Sequence, residues 1–196
     1  MRAQAIQINM RISWSDVSVR DFTLEDVDLY ADYWFKSPFA VHVESTDPER
    51  FASKMTFLAG LDAMLGSPEH APVQIIEFRG RTIGVHLLTN IAQSPMGTEA
   101  DFQAHFFDPE MRGMGIGLIS GVKAAKALMR RFQLKRIYAK SPKENPFTGG
   151  ALAKLPVRYL GEETSRLPTG ELTQSEVFVA EWGDLTCLEQ FLRAKD

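Results

Sequence analysis

The apolar residues of this chain recur with two periods, and together they predict a mixed α/β protein. Apolar stretches of strand length, several of them alternating with polar residues, predict strands at 17–22, 73–78, 82–88, 101–107, 134–140, 158–162 and 176–182. A spacing of three and four predicts one apolar helix face at Leu118, Val122, Ala125, Met129 and Phe132. Capping and stop signals predict further helices at 23–35, 46–65, 150–155 and 185–195.

The order of these elements indicates the architecture. Arg79-Gly80-Arg81 separates two strands and predicts an antiparallel hairpin. The strand at 101–107 is instead followed by a glycine loop, a helix and another strand, which is the order of a crossover between parallel strands. We therefore predict a mixed central sheet of about six to seven strands with helices on both faces.

The glycine loop Arg112-Gly113-Met114-Gly115-Ile116-Gly117 is the most informative motif. Glycines let a backbone approach a ligand closely, and the free N–H groups at a helix start attract anions. A P-loop is excluded because no Lys-Ser or Lys-Thr follows, and a dinucleotide fingerprint is excluded because its third glycine is missing. The loop predicts a phosphate cradle, with a glycine-rich strand-to-helix turn as the structural alternative.

Arg112, Gly115 and Gly117 fit the pattern Arg-x-x-Gly-x-Gly, which resembles the acetyl-coenzyme A pyrophosphate loop of the GNAT acetyltransferase superfamily. Asn145 matches the Asn that this superfamily places after the next strand. Leu155-Pro156-Val157 occupies its Leu-Gly-Phe position with two substitutions. The resemblance spans about 17–182, so we expect 1–16 to be an N-terminal extension and 17–196 a single domain.

The resemblance implies a fold, a co-substrate and a reaction. The strands flanking the loop helix should splay apart, and acetyl-CoA should serve as co-substrate. The implied cofactor-binding residues are Phe106, Phe107, Met111, Arg112, Gly113, Met114, Gly115, Ile116, Gly117 and Asn145. The implied activity is N-acetyl transfer to a primary amine of a small molecule or peptide. A looser similarity, in 108–113, 145–146 and 167–171, points to the small-amine branch that contains aminoglycoside 6′-type enzymes.

Candidate bases come from strand periodicity. Asp101, Gln103, His105 and Phe107 share one face of their strand, which in this superfamily borders the acceptor cleft. His105 is the first choice because an unperturbed imidazole is mostly neutral at pH 7; Asp101 is the second and His86 the third. For both histidines the alternative is a hydrogen-bonded core residue.

The general acid departs from the family pattern. The usual Tyr position holds Leu152, and Tyr138 and Ser141 are substitutes that lie elsewhere in the motif. A simple thiol titrates near 8.5, so a thiolate is a tolerable leaving group without an acid. The alternative is a weak or silent GNAT-fold module that binds acyl-coenzyme A or a protein partner.

Composition narrows the class of protein. With 196 residues, 44% of them hydrophobic and 24% charged, the chain suits one globular domain. It has no membrane-length apolar run or signal core and only Cys187, so we expect a cytoplasmic protein. Four scattered histidines predict no metal site. The sequence leaves the oligomeric state open, a homodimer included.

Charge is unevenly distributed along the chain. From Arg112 to Lys154, ten basic residues accompany one acidic residue, Glu144, although the whole chain carries −3. The functional interpretation is a positive field around coenzyme A and an acidic face for a cationic substrate; the alternative is a solvated helix face. The acidic net charge and the absence of a binding motif argue against nucleic acid.

Overall fold

The computed structural model describes residues 12–30, 72–107, 109–111, 113–143, 150, 152–153, 155, 157–166 and 172–194. Within them, seven strands form one sheet in the order β1-β2-β3-β4-β5-β7-β6. The strands are β1 (Val17–Asp21), β2 (Val73–Phe78), β3 (Arg81–Ser94), β4 (Gly97–Phe106), β5 (Arg136–Pro142), β6 (Arg158–Arg166) and β7 (Leu172–Glu181). The predicted mixed sheet is confirmed.

Neighbouring strands are antiparallel except for β4 and β5, which run parallel. The parallel pair is joined through a long helix, α1 (Ile116–Arg131), because two parallel strands cannot be linked by a tight turn. A second helix, α2 (Trp182–Arg193), follows β7. The helices predicted at 31–35 and 46–65 lie outside the described residues.

The two helices cover one face of the sheet. Ile116, Ile119 and Val122 of α1 pack with Leu188 and Leu192 of α2 against the first strands. The predicted helix stripe is partly right: Val122, Ala125 and Met129 are buried, but the register also buries Ile116, Ile119, Ala124 and Leu128. Ile12 and Trp14, which precede β1, are buried in the same cluster.

The opposite face is covered by the segment 22–30, which includes a 3-10 turn (Leu24–Asp26) and helical residues 27–30. Phe22 and Tyr30 pack there with Ile75, Val85 and Leu87. Side chains alternate along β3, so Val85 and Leu87 reach this cluster whereas His86 and Leu88 point toward α1. The sheet is therefore packed on both faces.

The β3–β4 hairpin extends further than the sequence predicted. We predicted strands at 82–88 and 101–107, but pairing continues to the turn between Ser94 and Gly97. The added residues are mostly polar and exposed, so they carry no buried alternation from which a strand is recognised. Asn90, at φ 52°, lies where the register shifts between Thr89 and Ala92.

A buried carboxylate holds the segment 22–30 against the sheet. Arg20 donates two hydrogen bonds of 2.7 Å to Asp26, and Thr23 donates from its backbone and its hydroxyl. Burial raises the pKa of Asp26, but these hydrogen bonds outweigh it and leave the pKa below its ordinary value. Arg20 also pairs with Glu77 at 2.9 Å.

We expect Asp26→Asn to lower the free energy of unfolding by about 2 kcal/mol, since hydrogen bonds to a charged group are lost in a buried place. Because the folded pKa of Asp26 is depressed, its stabilisation is present above about pH 4 and is lost as pH falls further. Urea unfolding at pH 7 and pH 3 measures both effects. The exposed pair of Arg79 with Asp16 is the control, and Asp16→Asn should cost much less. Equal losses at both pH values would contradict this account.

Candidate acetyl-transfer site

The loop between β4 and α1 leaves a helix N-terminus open. Gly113 and Gly115 have φ values of 74° and 91°, which side chains rarely tolerate. Gly115 is the N-cap, and as a glycine it has no side chain to accept the first helical N–H groups. Gly113 and Gly117 are exposed, whereas Ile116 is buried. Arg112 lies outside the described residues.

The start of α1 is fixed against the sheet by two contacts. A Cβ at Gly117 would lie 3.2 Å from the Phe106 ring, so the helix approaches β4 closely. One turn later, Ser120 Oγ lies 2.9 Å from His86 Nε2 and 3.5 Å from the Gly117 carbonyl oxygen. These contacts orient the helix N-terminus at the end of β4.

The parallel pair β4–β5 is short. Pairing joins Glu99 with Arg136, Ala100 with Ile137 and Asp101 with Tyr138, and it stops there among the described residues. Beyond Asp101, β4 pairs with β3 alone as far as Phe106. Among the described residues, no strand pairs with the β5-facing edge of β4 beyond Asp101, so this edge borders the opening between the two strands. The predicted splayed strand pair is confirmed.

A cleft of about 420 Å³ lies beside the point where the two strands separate, on the sheet face away from α1. Asp101 lines it, and Asn90 donates a 2.7 Å hydrogen bond to its carboxylate. The ammonium of Lys140 lies 3.3 Å from Asp101 and 2.8 Å from Glu163. Burial lowers the pKa of Lys140, but the two carboxylates outweigh it and raise the pKa above its ordinary value.

Tyr138 lines the same cleft, and its hydroxyl donates to Glu99 at 3.1 Å. Burial and this carboxylate raise the pKa of the phenol, so Tyr138 is a weaker acid than a free tyrosine. Ser141, on the opposite face of β5, is buried, and its Oγ has no hydrogen-bond partner among the described residues. Leu152, at the family's Tyr position, is partly buried.

His105 lies on the predicted face of β4, which it shares with Asp101, and is partly exposed. Its Nδ1 is 3.1 Å from the Tyr30 hydroxyl, and the rings of His105 and Phe107 both pack beside Tyr30. Burial lowers the pKa of His105 to about 4. The sequence suggested an ordinary value near 6.5, but the aromatic cluster disfavours the charged ring.

His86 lies on the other face of the sheet, away from Asp101 and His105. It is 1% exposed, stacks on Phe102 at 4.9 Å and bonds to Ser120. Burial lowers its pKa to about 3, so the ring is neutral. Its geometry is that of the core histidine which we stated as the alternative.

Asn90, Lys140 and Glu163 are among the cleft-lining residues that the sequence pattern did not single out. Lys140 had a detectable signal, because it alternates with Tyr138 on one face of a strand. Asn90 reaches Asp101 only through the irregular register of β3. Glu163 reaches Lys140 across the intervening β7, which no local pattern reveals. Asn145 lies outside the described residues.

Of the ten basic residues that suggested a positive field, the structure describes eight, and five of these pair with acidic side chains. Lys126 pairs with Glu189, Arg131 with Asp21 and Arg136 with Glu181. The Lys123 ammonium donates instead to the Trp14 and Val17 carbonyl oxygens. Lys123, Lys126 and Arg131 therefore tie α1 to its neighbours, whereas the alternative interpretation was a solvated helix face.

Among the described residues, no group of three or more His, Cys, Asp or Glu side chains is placed to hold a metal ion. Nor does any of their helices have the length and apolarity that a membrane crossing requires.

Solved acetyltransferase structures share this fold. Mycobacterium smegmatis RimJ in complex with a CoA-disulfide has a TM-score of 0.69 and 16% identity, covering 91% of this chain and 89% of that chain. A ribosomal L7/L12 alpha-N-protein acetyltransferase, RimL, with coenzyme A has a TM-score of 0.66 and 14% identity over 85% and 94%. A Vibrio cholerae spermidine N-acetyltransferase, SpeG, has a TM-score of 0.66 and 16% identity over 87% and 96%.

No protein-family model and no curated protein matches the sequence. At these identities the likeness establishes the architecture: the chain has the GNAT fold, with its mixed seven-stranded sheet and flanking helices.

Because His86 and His105 are neutral in the folded protein, acid should destabilise it. Their folded pKa values, about 3 and about 4, lie below the unfolded value, so stability falls as pH drops from about 6.5 toward 4. His86→Gln keeps a donor for Ser120 and removes one titration. We expect His86→Gln to reduce the slope of the unfolding free energy against pH by at most about 1.4 kcal/mol per pH unit. Unfolding free energies of the variant and the unaltered protein that run parallel from pH 6.5 to 4 would contradict this.

Proposed function

We propose that this protein is a GNAT-superfamily N-acetyltransferase that transfers an acetyl group from acetyl-CoA to an amine. The observation that carries the proposal is the early end of the β4–β5 pairing, which leaves an open strand edge leading to the N-terminus of α1. A polar edge and an uncapped helix start suit an elongated ligand with an anionic end. The acetyltransferases that share the fold support the same assignment.

The residues present fit coenzyme A. Gly113, Gly115 and Gly117 bring bare backbone to the helix start, where pyrophosphate would bind together with Met111, Arg112, Met114 and Ile116. The backbone of Phe106 and Phe107, at the end of β4, would bind the pantetheine arm, and Asn145 would donate to it. Bound acetyl-CoA supplies an acetyl group activated as a thioester.

We assign the acceptor amine to the cleft beside Asp101. A carboxylate there attracts an ammonium group, and the cleft lies on the same sheet face as His105. His105 is neutral above about pH 4 and is a weaker base than a free imidazole. We therefore assign to it the proton that the amine nitrogen releases after adding to the thioester carbonyl, when that nitrogen is much more acidic than a free ammonium. We assign to His86 only the structural contact with Ser120.

The thiolate leaving group depends less on a general acid than the amine depends on a general base. We propose that Ser141 Oγ, which is buried without a partner on β5, holds the proton that hydrogen-bonds to this sulfur. Tyr138 is a poorer donor because its raised pKa and its bond to Glu99 retain the proton. Leu152 contributes no proton.

The class of acceptor is a small-molecule or peptide amine. Two neighbouring structures are of a spermidine N-acetyltransferase and a ribosomal L7/L12 alpha-N-protein acetyltransferase, so both classes occur on this fold. Within the superfamily we favour the small-amine branch. The similarity to aminoglycoside 6′-type enzymes rests on sequence motifs alone. We propose a cytoplasmic location because the given sequence has a single cysteine, which suits a reducing compartment.

Acetyl-CoA binding tests the loop. Gly115→Val places a branched side chain at φ 91° beside the helix start, so the dissociation constant for acetyl-CoA should rise at least about tenfold. Gly80→Val is the matched control, because Gly80 has φ 78° and lies in the β2–β3 turn, away from the loop. Isothermal titration calorimetry gives both constants. Absence of binding by the unaltered protein would refute the proposed function.

Turnover tests His105. His105→Gln should lower kcat by about 10²–10⁴, the usual range for loss of a general base, with little change in acetyl-CoA affinity. Between pH 6 and 9, log kcat/KM of the unaltered enzyme should rise with the free-amine fraction and show no inflection near 6.5, because burial holds the His105 pKa near 4. Gln103→Ala, on the same strand face, is the control. Retention of activity within a few-fold in His105→Gln would assign the proton to Asp101 instead.

Thiol release on mixing acetyl-CoA with a panel of amines separates an enzyme from a silent coenzyme A-binding module. Release that depends on an amine supports the transferase. Tight binding of acetyl-CoA with no release would establish the silent module.

A further inference from the structure

Lys140 occupies the cleft that we assign to the acceptor amine. It extends from β5, and its ammonium lies between carboxylates of two other strands, 3.3 Å from Asp101 on β4 and 2.8 Å from Glu163 on β6. The three side chains all line the cleft. An alkyl ammonium group of the protein therefore already lies between two carboxylates where a substrate ammonium is expected.

The other carboxylates of the cleft are bound differently. Glu99 interacts with Tyr138 at 3.1 Å and with Arg136 at 3.6 Å, and Glu162 pairs with Lys143 at 2.7 Å. Neither Arg136 nor Lys143 lines the cleft. Among the cleft-lining residues that the structure describes, Lys140 is the cation that contacts two carboxylates.

The Lys140 interaction is suited to exchange. The side chains of Lys140 and Glu163 are 35% and 41% exposed, and an ion pair this exposed contributes little net free energy. The Asp101 side chain is 14% exposed, and it keeps its hydrogen bond from Asn90 when the Lys140 ammonium leaves. Replacing one ammonium by another between the same carboxylates preserves the charge balance. A substrate ammonium can therefore displace Lys140 at low cost.

We propose that Lys140 determines acceptor specificity by holding the place of a substrate ammonium between Asp101 and Glu163. This inference rests on the proposed function and narrows it. An ammonium held by two carboxylates stays protonated and cannot attack the thioester, so the acetylated amine must be a second one. The preferred acceptor class is then an aliphatic diamine, anchored through one amino group and acetylated on the other.

The test compares Lys140→Met with Lys143→Met. Both remove one positive charge at this end of the sheet, but among the described residues Lys143 pairs with Glu162 and does not itself line the cleft. We expect Lys140→Met to lower KM for 1,4-diaminobutane about tenfold and to leave KM for 1-aminobutane within about twofold, since a monoamine lacks the anchoring group. Lys143→Met should leave both KM values within about twofold.

Glu163→Gln removes an anchoring carboxylate instead of the Lys140 ammonium. The Glu163 side chain is 41% exposed, so the protein should still fold with this substitution. It should weaken the discrimination between the diamine and the monoamine, because one of the two anchoring carboxylates is lost. Equal KM changes in Lys140→Met and Lys143→Met would show a general charge effect and overturn the inference. A higher KM for the diamine in Lys140→Met would also overturn it.

Calorimetry of 1,4-diaminobutane without acetyl-CoA separates this inference from the proposed function. Tighter binding by Lys140→Met, with no change in Lys143→Met, supports the role of Lys140 as the occupant of the cleft. Unchanged binding by Lys140→Met overturns that role. If no amine is acetylated by the unaltered protein, the proposed function fails, and the calorimetric comparison still decides whether Lys140 blocks a diammonium site.

Discussion

The parallel pairing of β4 and β5 over only three residue pairs is the constraint on which the candidate site depends. Antiparallel partners hold both strands on their outer sides, β3 against β4 and β7 against β5. Each strand is thus fixed independently, and the gap between them stays open without loss of the sheet. Among the described residues, no strand pairs with the β5-facing edge of β4 beyond Asp101, so a neighbouring strand does not complete this edge as it would inside a continuous sheet.

Beside this gap, one face of the sheet contacts the start of α1 and the other face carries the cleft. On one face, His86, Ser120 and the Gly117 carbonyl link β3 to the start of α1, so the helix N-terminus is held at the end of β4. On the other face, Asp101 and Lys140 meet in the cleft that we assign to the acceptor amine. The two histidines, His86 and His105, also differ in how deeply they are buried. His86 is enclosed and bonded to a core serine, whereas His105 remains partly exposed beside Tyr30.

The local sequence pattern was sufficient to predict those elements whose buried residues recur with a simple period. The strand at 73–78 was predicted with the bounds of β2, and the face shared by Asp101 and His105 follows from alternation along β4. The extended part of the β3–β4 hairpin was missed because its side chains are exposed, so no hydrophobic period marks it. The predicted apolar face of α1 was only partly right. The helix packs against both the sheet and α2, so more of its surface is buried than one narrow face.

The sequence by itself determined the mixed sheet, the crossover through a glycine loop and the polar face of β4, because each depends on neighbours within a few residues. Tertiary structure decided the chemistry of the site. The low pKa of His105 arises from Tyr30 and Phe107, and the position of Lys140 depends on Asp101 and Glu163 from two other strands. These interactions join residues far apart in the chain, and desolvation and Coulomb energies depend on distances in space that a linear pattern does not contain.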